Sequence, residues 1–172
     1  TKNTYSLSVS NPSGALVSIS GTTQANAAST ATSITFNTTY GNTGVTVVAS
    51  KAGYTCTVGG TTIPSPITDN VVGVSVNCVI NTYTLSISNP DGAAVSISGT
   101  TQTNAVSTAS SIVFNTTYGN TGVAVSASKA GYTCTVGGTS VPSTITDNVS
   151  GVTVSCSINT YTLGVSNSDG AT

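Results

Sequence analysis

Two nearly identical segments make up most of the sequence and set the size of the folding unit. Residues 3–80 and 81–158 align without gaps, differ at 17 of their 78 positions and agree at the other 61. A third copy begins at Asn159 and runs to Thr172. This period exceeds the roughly 20–50 residues of a solenoid repeat, whose units cannot bury a core alone. We therefore expect residues 3–80 and 81–158 to be two small independent domains, and residues 159–172 to be the first strand of a truncated third repeat.

Apolar residues alternate with Thr and Ser along each copy, and this period of two indicates β-strands. In the first copy these apolar residues are Tyr5, Leu7 and Val9; Val17 and Ile19; Ile34 and Phe36; Val45, Val47 and Ala49; Tyr54, Cys56 and Val58; and Val72, Val74, Val76, Cys78 and Ile80. Turn-forming Asn, Gly and Pro residues lie between the runs. Short strands with one apolar face each predict an all-β chain of tandem small immunoglobulin-like antiparallel β-sandwiches.

The four cysteines repeat with the same period as the copies. Cys56 and Cys78 lie in the first copy, and Cys134 and Cys156 lie in the second. Four cysteines allow three pairings, and the repeat favours one disulfide within each copy. A bridge between successive copies, Cys78–Cys134, and reduced buried thiols are the alternatives. Because a domain this small is marginally stable without a cross-link, we expect one disulfide per repeat and an extracellular or cell-surface location.

The composition excludes several classes of function. The chain has three Lys, four Asp, and no His, Arg or Glu. Without His it has neither a Ser-His-Asp nor a Cys-His arrangement, and it has no imidazole ligand for zinc. We predict that it is not an enzyme, has no catalytic residues, and needs no cofactor or metal. Three Lys cannot follow a nucleic acid backbone, and no apolar run is long enough to span a membrane.

Three Asn residues stand in N-glycosylation sequons, and they are the candidate modification sites. They are Asn37, Asn115 and Asn148. Chance matches are expected in a chain this rich in Asn, Ser and Thr, so both occupied and unoccupied sequons remain open. Lys51 and Asn70 supply the residue types of a Lys–Asn isopeptide bond, although a solvated Lys is the simpler interpretation. Asp69 and Asp91 are too few for a calcium site and fit turn formation better.

Two segments of each copy resemble PEGA-type domains, which take their name from a Pro-Glu-Gly-Ala motif. The first segment is NPSGALVSISG at residues 11–21 and NPDGAAVSISG at 89–99; the second is VVASKAGYTC at 47–56 and VSASKAGYTC at 125–134. Ser13 and Asp91 replace the Glu of the motif, and Ser168 replaces its Pro in the third copy. The chain also resembles tandem immunoglobulin-like repeats of microbial surface adhesins and extracellular filaments. The resemblance implies a structural or adhesive surface protein, and no catalytic residue transfers.

A structural function follows from the repeat and its junction. No Gly or Pro follows Gly73 before the next copy begins, so Ile80-Asn81-Thr82 is not a flexible linker. We expect a stiff, disulfide-linked rod that serves as the repeat unit of an extracellular filament or as the stalk of a surface adhesin, with self-association into a filament or array.

Two further interpretations stay open at this point. The alternating Tyr161, Leu163 and Val165 form an initial strand without its sandwich, which could complete a neighbouring subunit by strand exchange or belong to a longer array. The alternative function is an adhesin module that binds a glycan, ice or a receptor. It would use loops such as residues 21–30 and 59–66.

Overall fold

All regular secondary structure in the described residues is β-strand, as the alternation predicts. The computed structural model describes residues 2–22, 27–100 and 105–166, and the chain divides into two units, Thr1–Asn81 and Thr82–Thr172. The first unit contains β1 (Thr4–Ser10), β2 (Leu16–Ser20), β3 (Ala28–Ser29), β4 (Ser33–Thr39), β5 (Thr46–Ser50), β6 (Tyr54–Gly60) and β7 (Val71–Ile80). The second contains β8 (Thr82–Ser88), β9 (Ala94–Ser98), β10 (Val106–Ser107), β11 (Ser111–Thr117), β12 (Ala124–Ser128), β13 (Tyr132–Gly138) and β14 (Val149–Ile158).

Each unit contains two sheets with the same strand order. In the first unit a four-stranded sheet has the order β4-β1-β7-β6 and a three-stranded sheet has the order β3-β2-β5. In the second unit the orders are β11-β8-β14-β13 and β10-β9-β12. Strands β1 and β7 pair in parallel, as do β8 and β14, and the other strand pairs are antiparallel.

The parallel pair corrects the prediction of purely antiparallel sheets. It joins the first and last long strands of a unit, and a parallel pair needs a long crossover, which the five intervening strands provide. Because β1 and β7 run side by side in the same direction, the chain enters a unit at one end and leaves it at the opposite end.

A bulge in β7 corrects a second expectation. Leu7 pairs with Val71 and Val9 pairs with Val74, so β7 carries one extra residue opposite β1. Val71 is therefore buried, whereas Val72 is 63% exposed, and the prediction that Val72 faces the core is wrong. Gly73 in the bulge has a φ of +85°, and a Cβ there would lie 2.7 Å from Thr61 Oγ1. Only glycine fits this left-handed position without strain.

The two sheets of each unit share one hydrophobic cluster. In the first unit its buried members are Leu7, Val9, Ala15, Val17, Ile19, Ile34, Phe36, Val45, Ile67, Val71, Val74 and Val76. Ile67 lies outside the strands and was not among the predicted core residues. Its N–H donates to Asn42 O at 2.8 Å, and Gly41 N–H donates to Ile67 O at 2.8 Å. At the described positions where the two copies differ, the only buried pair is Val9 and its counterpart Ile87. Because the other differences lie outside the buried positions, both copies keep the same core.

One buried hydroxyl distinguishes the two units and yields a stability prediction. Thr38 Oγ1 is buried without a hydrogen-bond partner, whereas its counterpart Thr116 Oγ1 donates to Asn120 Oδ1 at 3.0 Å. We expect Thr38→Val to raise the free energy of unfolding of the first unit by about 1 kcal/mol, because it removes an unpaired buried polar group. The matched variant Thr116→Val should lower that of the second unit by a similar amount. Urea denaturation measures both changes, and destabilisation by Thr38→Val would contradict the prediction.

Candidate functional site

A disulfide links the last two strands of each unit. Cys56 on β6 lies directly opposite Cys78 on β7, with an S–S distance of 2.06 Å and a Cα–Cα distance of 4.0 Å. Cys134 and Cys156 form the same bond between β13 and β14, with an S–S distance of 2.10 Å. These are the pairs predicted from the repeat; all four cysteines lie in the described residues, and none is free. The alternatives of a bond between copies and of reduced thiols therefore do not occur.

The disulfide lies in the part of β7 that pairs with only one neighbouring strand. Strand β1 pairs with β7 only as far as Ser10 opposite Ser75. Residues 76–80 of β7 therefore extend beyond β1 and pair with β6 alone, from Val58 opposite Val76 to Tyr54 opposite Ile80. Cys78 is in the middle of this overhang, which we call the exit segment (residues 76–80). The covalent bond secures the part of the strand from which the chain leaves the unit.

Asn81 connects the two units as a single residue between β7 and β8. Its N–H donates to Gly53 O at 2.9 Å, and Thr55 Oγ1 donates to its Oδ1 at 2.8 Å. Asn159 follows β14 and repeats both bonds, with Gly131 O at 2.9 Å and Thr133 Oγ1 at 2.7 Å. Both the backbone and the side chain of each connecting Asn are thus hydrogen-bonded to the preceding unit, unlike the residues of a free linker.

A cation–π contact closes the turn between β5 and β6. Lys51 Nζ lies 4.5 Å from the centroid of the Tyr54 ring and donates to Ser13 O at 2.6 Å. A contact of this kind stabilises by about 0.5–1 kcal/mol at an exposed site. The Asn70 side chain has different partners, because its Oδ1 accepts from Ser6 N–H at 2.8 Å and from Ser6 Oγ at 3.2 Å. The structure therefore does not bring Lys51 and Asn70 together for an isopeptide bond.

The second unit adds a contact that the first unit lacks. Lys129 repeats the cation–π contact with Tyr132 at 4.5 Å and donates to Asp91 O at 2.6 Å. Asp91 Oδ2 also accepts from Cys156 N–H at 2.8 Å. Ser13, the counterpart of Asp91, carries no carboxylate and instead donates to Asn11 Oδ1 at 3.3 Å. In the second unit the turn after β8 is therefore attached directly to the disulfide-bonded strand.

Asn11 is a buried polar residue that organises the turn between β1 and β2. Its Nδ2 donates to Ala15 O at 2.8 Å and to Ala31 O at 3.1 Å, and its Oδ1 accepts from Ala15 N–H at 3.1 Å. Asn89 makes the corresponding bonds in the second unit. The sequence indicated only a turn here. The recurrence of Asn before Pro in both copies was the available signal, but it does not distinguish a turn residue from a buried one.

The three sequon residues occupy two kinds of site. Asn37 and Asn115 are exposed in the edge strands β4 and β11. Asn148 is exposed just before β14, and its Oδ1 accepts from Thr84 N–H at 2.9 Å and from Thr84 Oγ1 at 3.2 Å. An N-linked sugar would be attached to Nδ2 and would leave Oδ1, the acceptor of both bonds, in place. Whether any of the three carries a sugar stays a prediction.

Whether the two loops named for ligand binding, residues 21–30 and 59–66, hold a ligand stays a prediction. Residues 59–66 contain no aromatic side chain, and residues 23–26 of the other loop lie outside the described residues. Within residues 2–22, 27–100 and 105–166, no group of three His, Cys, Asp or Glu side chains is placed to hold a metal ion. The same residues form no helix of the length and apolarity needed to cross a membrane.

The third copy contributes no strand among its described residues, 159–166. Tyr161, Leu163 and Val165 are exposed by 85%, 89% and 83%. Ser168 and the rest of residues 167–172 lie outside the described part.

Comparison with protein-family models gave no match, and a search of curated proteins found no similar sequence.

Proposed function

We propose that this chain is a structural protein of the cell surface, built from tandem PEGA-like, immunoglobulin-like β-sandwich domains that form a stiff rod. The rod serves as the repeat unit of an extracellular filament or as the stalk of an adhesin. The support comes from three features of each unit: the direction in which the chain passes through it, the covalent bond at its exit, and the single-residue connection that follows.

The parallel pairing of β1 with β7 is the observation that carries the proposal. Strand β1 runs from Thr4 to Ser10, and Ser10 lies opposite Ser75 of β7. Strand β7 then continues in the same direction from Ser75 to Ile80, so the two strands together advance by about eleven residues along one direction. At about 3.3 Å per residue this is roughly 35 Å for each unit. A unit in which the chain entered and left at the same end would add little length. Here every added copy extends the rod.

The disulfide supports the same function. A tensile force on a rod reaches each unit through its first and last strands, and the exit segment has only β6 as a neighbour. The Cys56–Cys78 bond prevents this segment from separating from β6. A structural disulfide of this kind persists in oxidising surroundings, which supports an extracellular location.

Stiffness at the junction is the part of the proposal that a direct experiment tests. We expect small-angle scattering and negative-stain microscopy of the native chain to give a narrow distribution of maximum dimension. Inserting Gly-Gly-Ser-Gly after Asn81 should broaden it, because a Gly/Ser segment is a flexible coil. The matched control inserts the same tetrapeptide after Thr62, in an exposed loop of the first unit. A native chain with a distribution as broad as that of the Asn81 insertion would refute the stiff rod.

A further inference from the structure

The disulfides of the two units differ in one charge that lies beside them. Ser13 of the first unit corresponds to Asp91 of the second. Asp91 Oδ2 accepts from Cys156 N–H at 2.8 Å, and this nitrogen belongs to the same residue as one sulfur of the Cys134–Cys156 bond. A carboxylate therefore lies next to the disulfide of the second unit, whereas the side chain at the same place in the first unit is neutral.

The strand pairing explains how Asp91 reaches this position. Strand β8 pairs with β14 only as far as Ser88 opposite Thr153. Beyond this level the turn that follows β8 lies beside β14, and Cys156 N–H is directed to this turn. The carboxylate of Asp91 takes the acceptor position that a longer β8 would have filled. The contact thus follows from the fold, and one side chain decides whether it carries a charge.

A lysine accompanies the same turn in both units. Lys51 Nζ donates to Ser13 O, and Lys129 Nζ donates to Asp91 O, both at 2.6 Å. Because the lysine makes the same contact in each unit, its positive charge does not distinguish the two disulfides. The carboxylate of Asp91 is the charge that differs between the two turns.

This charge matters because reduction of a disulfide moves negative charge through the site. Cys134 and Lys129 are among the residues that line an open cavity of 580 Å³, which admits a small reductant. A thiolate that attacks Cys134 Sγ forms a mixed disulfide, and Cys156 Sγ leaves as a thiolate with the electron pair of the broken bond. A second thiol attacks the mixed disulfide, releases the Cys134 thiolate and forms the oxidised reductant. The charge on Cys156 develops beside Asp91, so repulsion opposes the first step.

We propose that Asp91 protects the Cys134–Cys156 disulfide against anionic thiols, so that these thiols cleave the disulfide of the first unit before that of the second. Repulsion between two charges near a protein surface changes such a rate by about threefold to tenfold. Cleavage of Cys56–Cys78 removes the covalent link between β6 and the exit segment while the second unit stays cross-linked. The inference concerns the chemistry of single units and goes beyond the proposed rod.

The test reduces the intact native chain with three thiols whose thiolate forms differ in charge. Mercaptopropionate is the most negative, mercaptoethanol is intermediate, and cysteamine has no net charge. Alkylation traps the free thiols, and cleavage after Lys51 and Lys129 places the two cysteine pairs in separate peptides, 52–129 and 130–172, for mass spectrometry. We expect mercaptopropionate to cleave the first disulfide about threefold to tenfold faster than the second. This ratio should fall with mercaptoethanol and fall further with cysteamine.

Two charge-removing variants separate the carboxylate from the rest of the site. Asp91→Asn keeps an oxygen that accepts from Cys156 N–H but removes the charge. It should speed cleavage of the second disulfide about threefold to tenfold with mercaptopropionate and less than about twofold with cysteamine. The matched control Asp147→Asn removes an exposed carboxylate just before β14, at the end of the strand far from Cys156. It should change either rate by less than about twofold.

Two results would overturn the inference. Equal acceleration by all three thiols in Asp91→Asn would mean that the side chain acts through the stability of β14 and not through its charge. In the native chain, a ratio of cleavage rates that does not depend on the charge of the thiol would also contradict it. This second measurement needs no variant, so it decides the question even if Asp91→Asn does not fold. Neither result bears on the junction experiment, which measures the dimensions of the oxidised chain.

Discussion

Replacing Cys56 and Cys78 together by alanine will lower the free energy of unfolding of the first unit by about 3 kcal/mol, as expected for a cross-link that closes a loop of this length. The two residues are 22 apart in sequence, and their bond is the covalent link between β6 and the exit segment. Small domains have little stability in reserve, so this loss is a large fraction of the total. Chemical denaturation of the native and variant chains measures it.

The neighbouring pair on the same strands provides the control. Thr57 and Asn77 lie opposite each other, next to the disulfide, and both are exposed. Replacing these two by alanine leaves the disulfide in place and should cost less than about 1 kcal/mol. The variant Cys134→Ala with Cys156→Ala should affect the second unit in the same way. Equal destabilisation by the disulfide and control variants would show that the bond is not a principal source of stability.

Asn11→Asp should destabilise the first unit by about 3–5 kcal/mol, because it leaves an uncompensated charge in a buried site. The side chain of Asn11 is 0% exposed, and its Nδ2 donates to Ala15 O and Ala31 O. A carboxylate of the same shape has no hydrogen to donate and would place a negative oxygen against both carbonyl oxygens. Thermal unfolding of the variant followed by circular dichroism gives the shift.

The exposed substitution Asn77→Asp makes the same chemical change on β7 and should alter stability by no more than about 0.5 kcal/mol. Asn89→Asp repeats the buried change in the second unit and should match Asn11→Asp. If Asn11→Asp unfolds at the temperature of Asn77→Asp, the buried hydrogen bonds are not important for stability.

Local pattern was sufficient to predict the strands and the cysteine pairs. Alternation placed Leu7 and Phe36 in the core because one face of each strand is buried. The identical spacing of the cysteines in the two copies favoured Cys56–Cys78 over the bond between copies. Both inferences depend on residues that are close in sequence or on identity between copies.

Features that depend on distant pairing could not be predicted. The exposure of Val72 results from a bulge defined only by the pairing of β7 with β1, which lies at the opposite end of the unit in sequence. The exit segment exists because β1 ends before β7 does, which no residue of β7 indicates. Ile67 lies in the loop between β6 and β7, where apolar and polar residues do not alternate, yet tertiary packing buries it.

The parallel neighbours β1 and β7 also determine how a unit responds when its ends are pulled apart. The force enters at the start of β1 and at the end of β7, so the two strands are loaded in shear, and the hydrogen bonds between them must break together. Antiparallel terminal strands joined at one end would instead unzip one bond at a time at a lower force. The tensile force that a unit withstands therefore depends on the force at which these bonds rupture together, and not on thermodynamic stability alone.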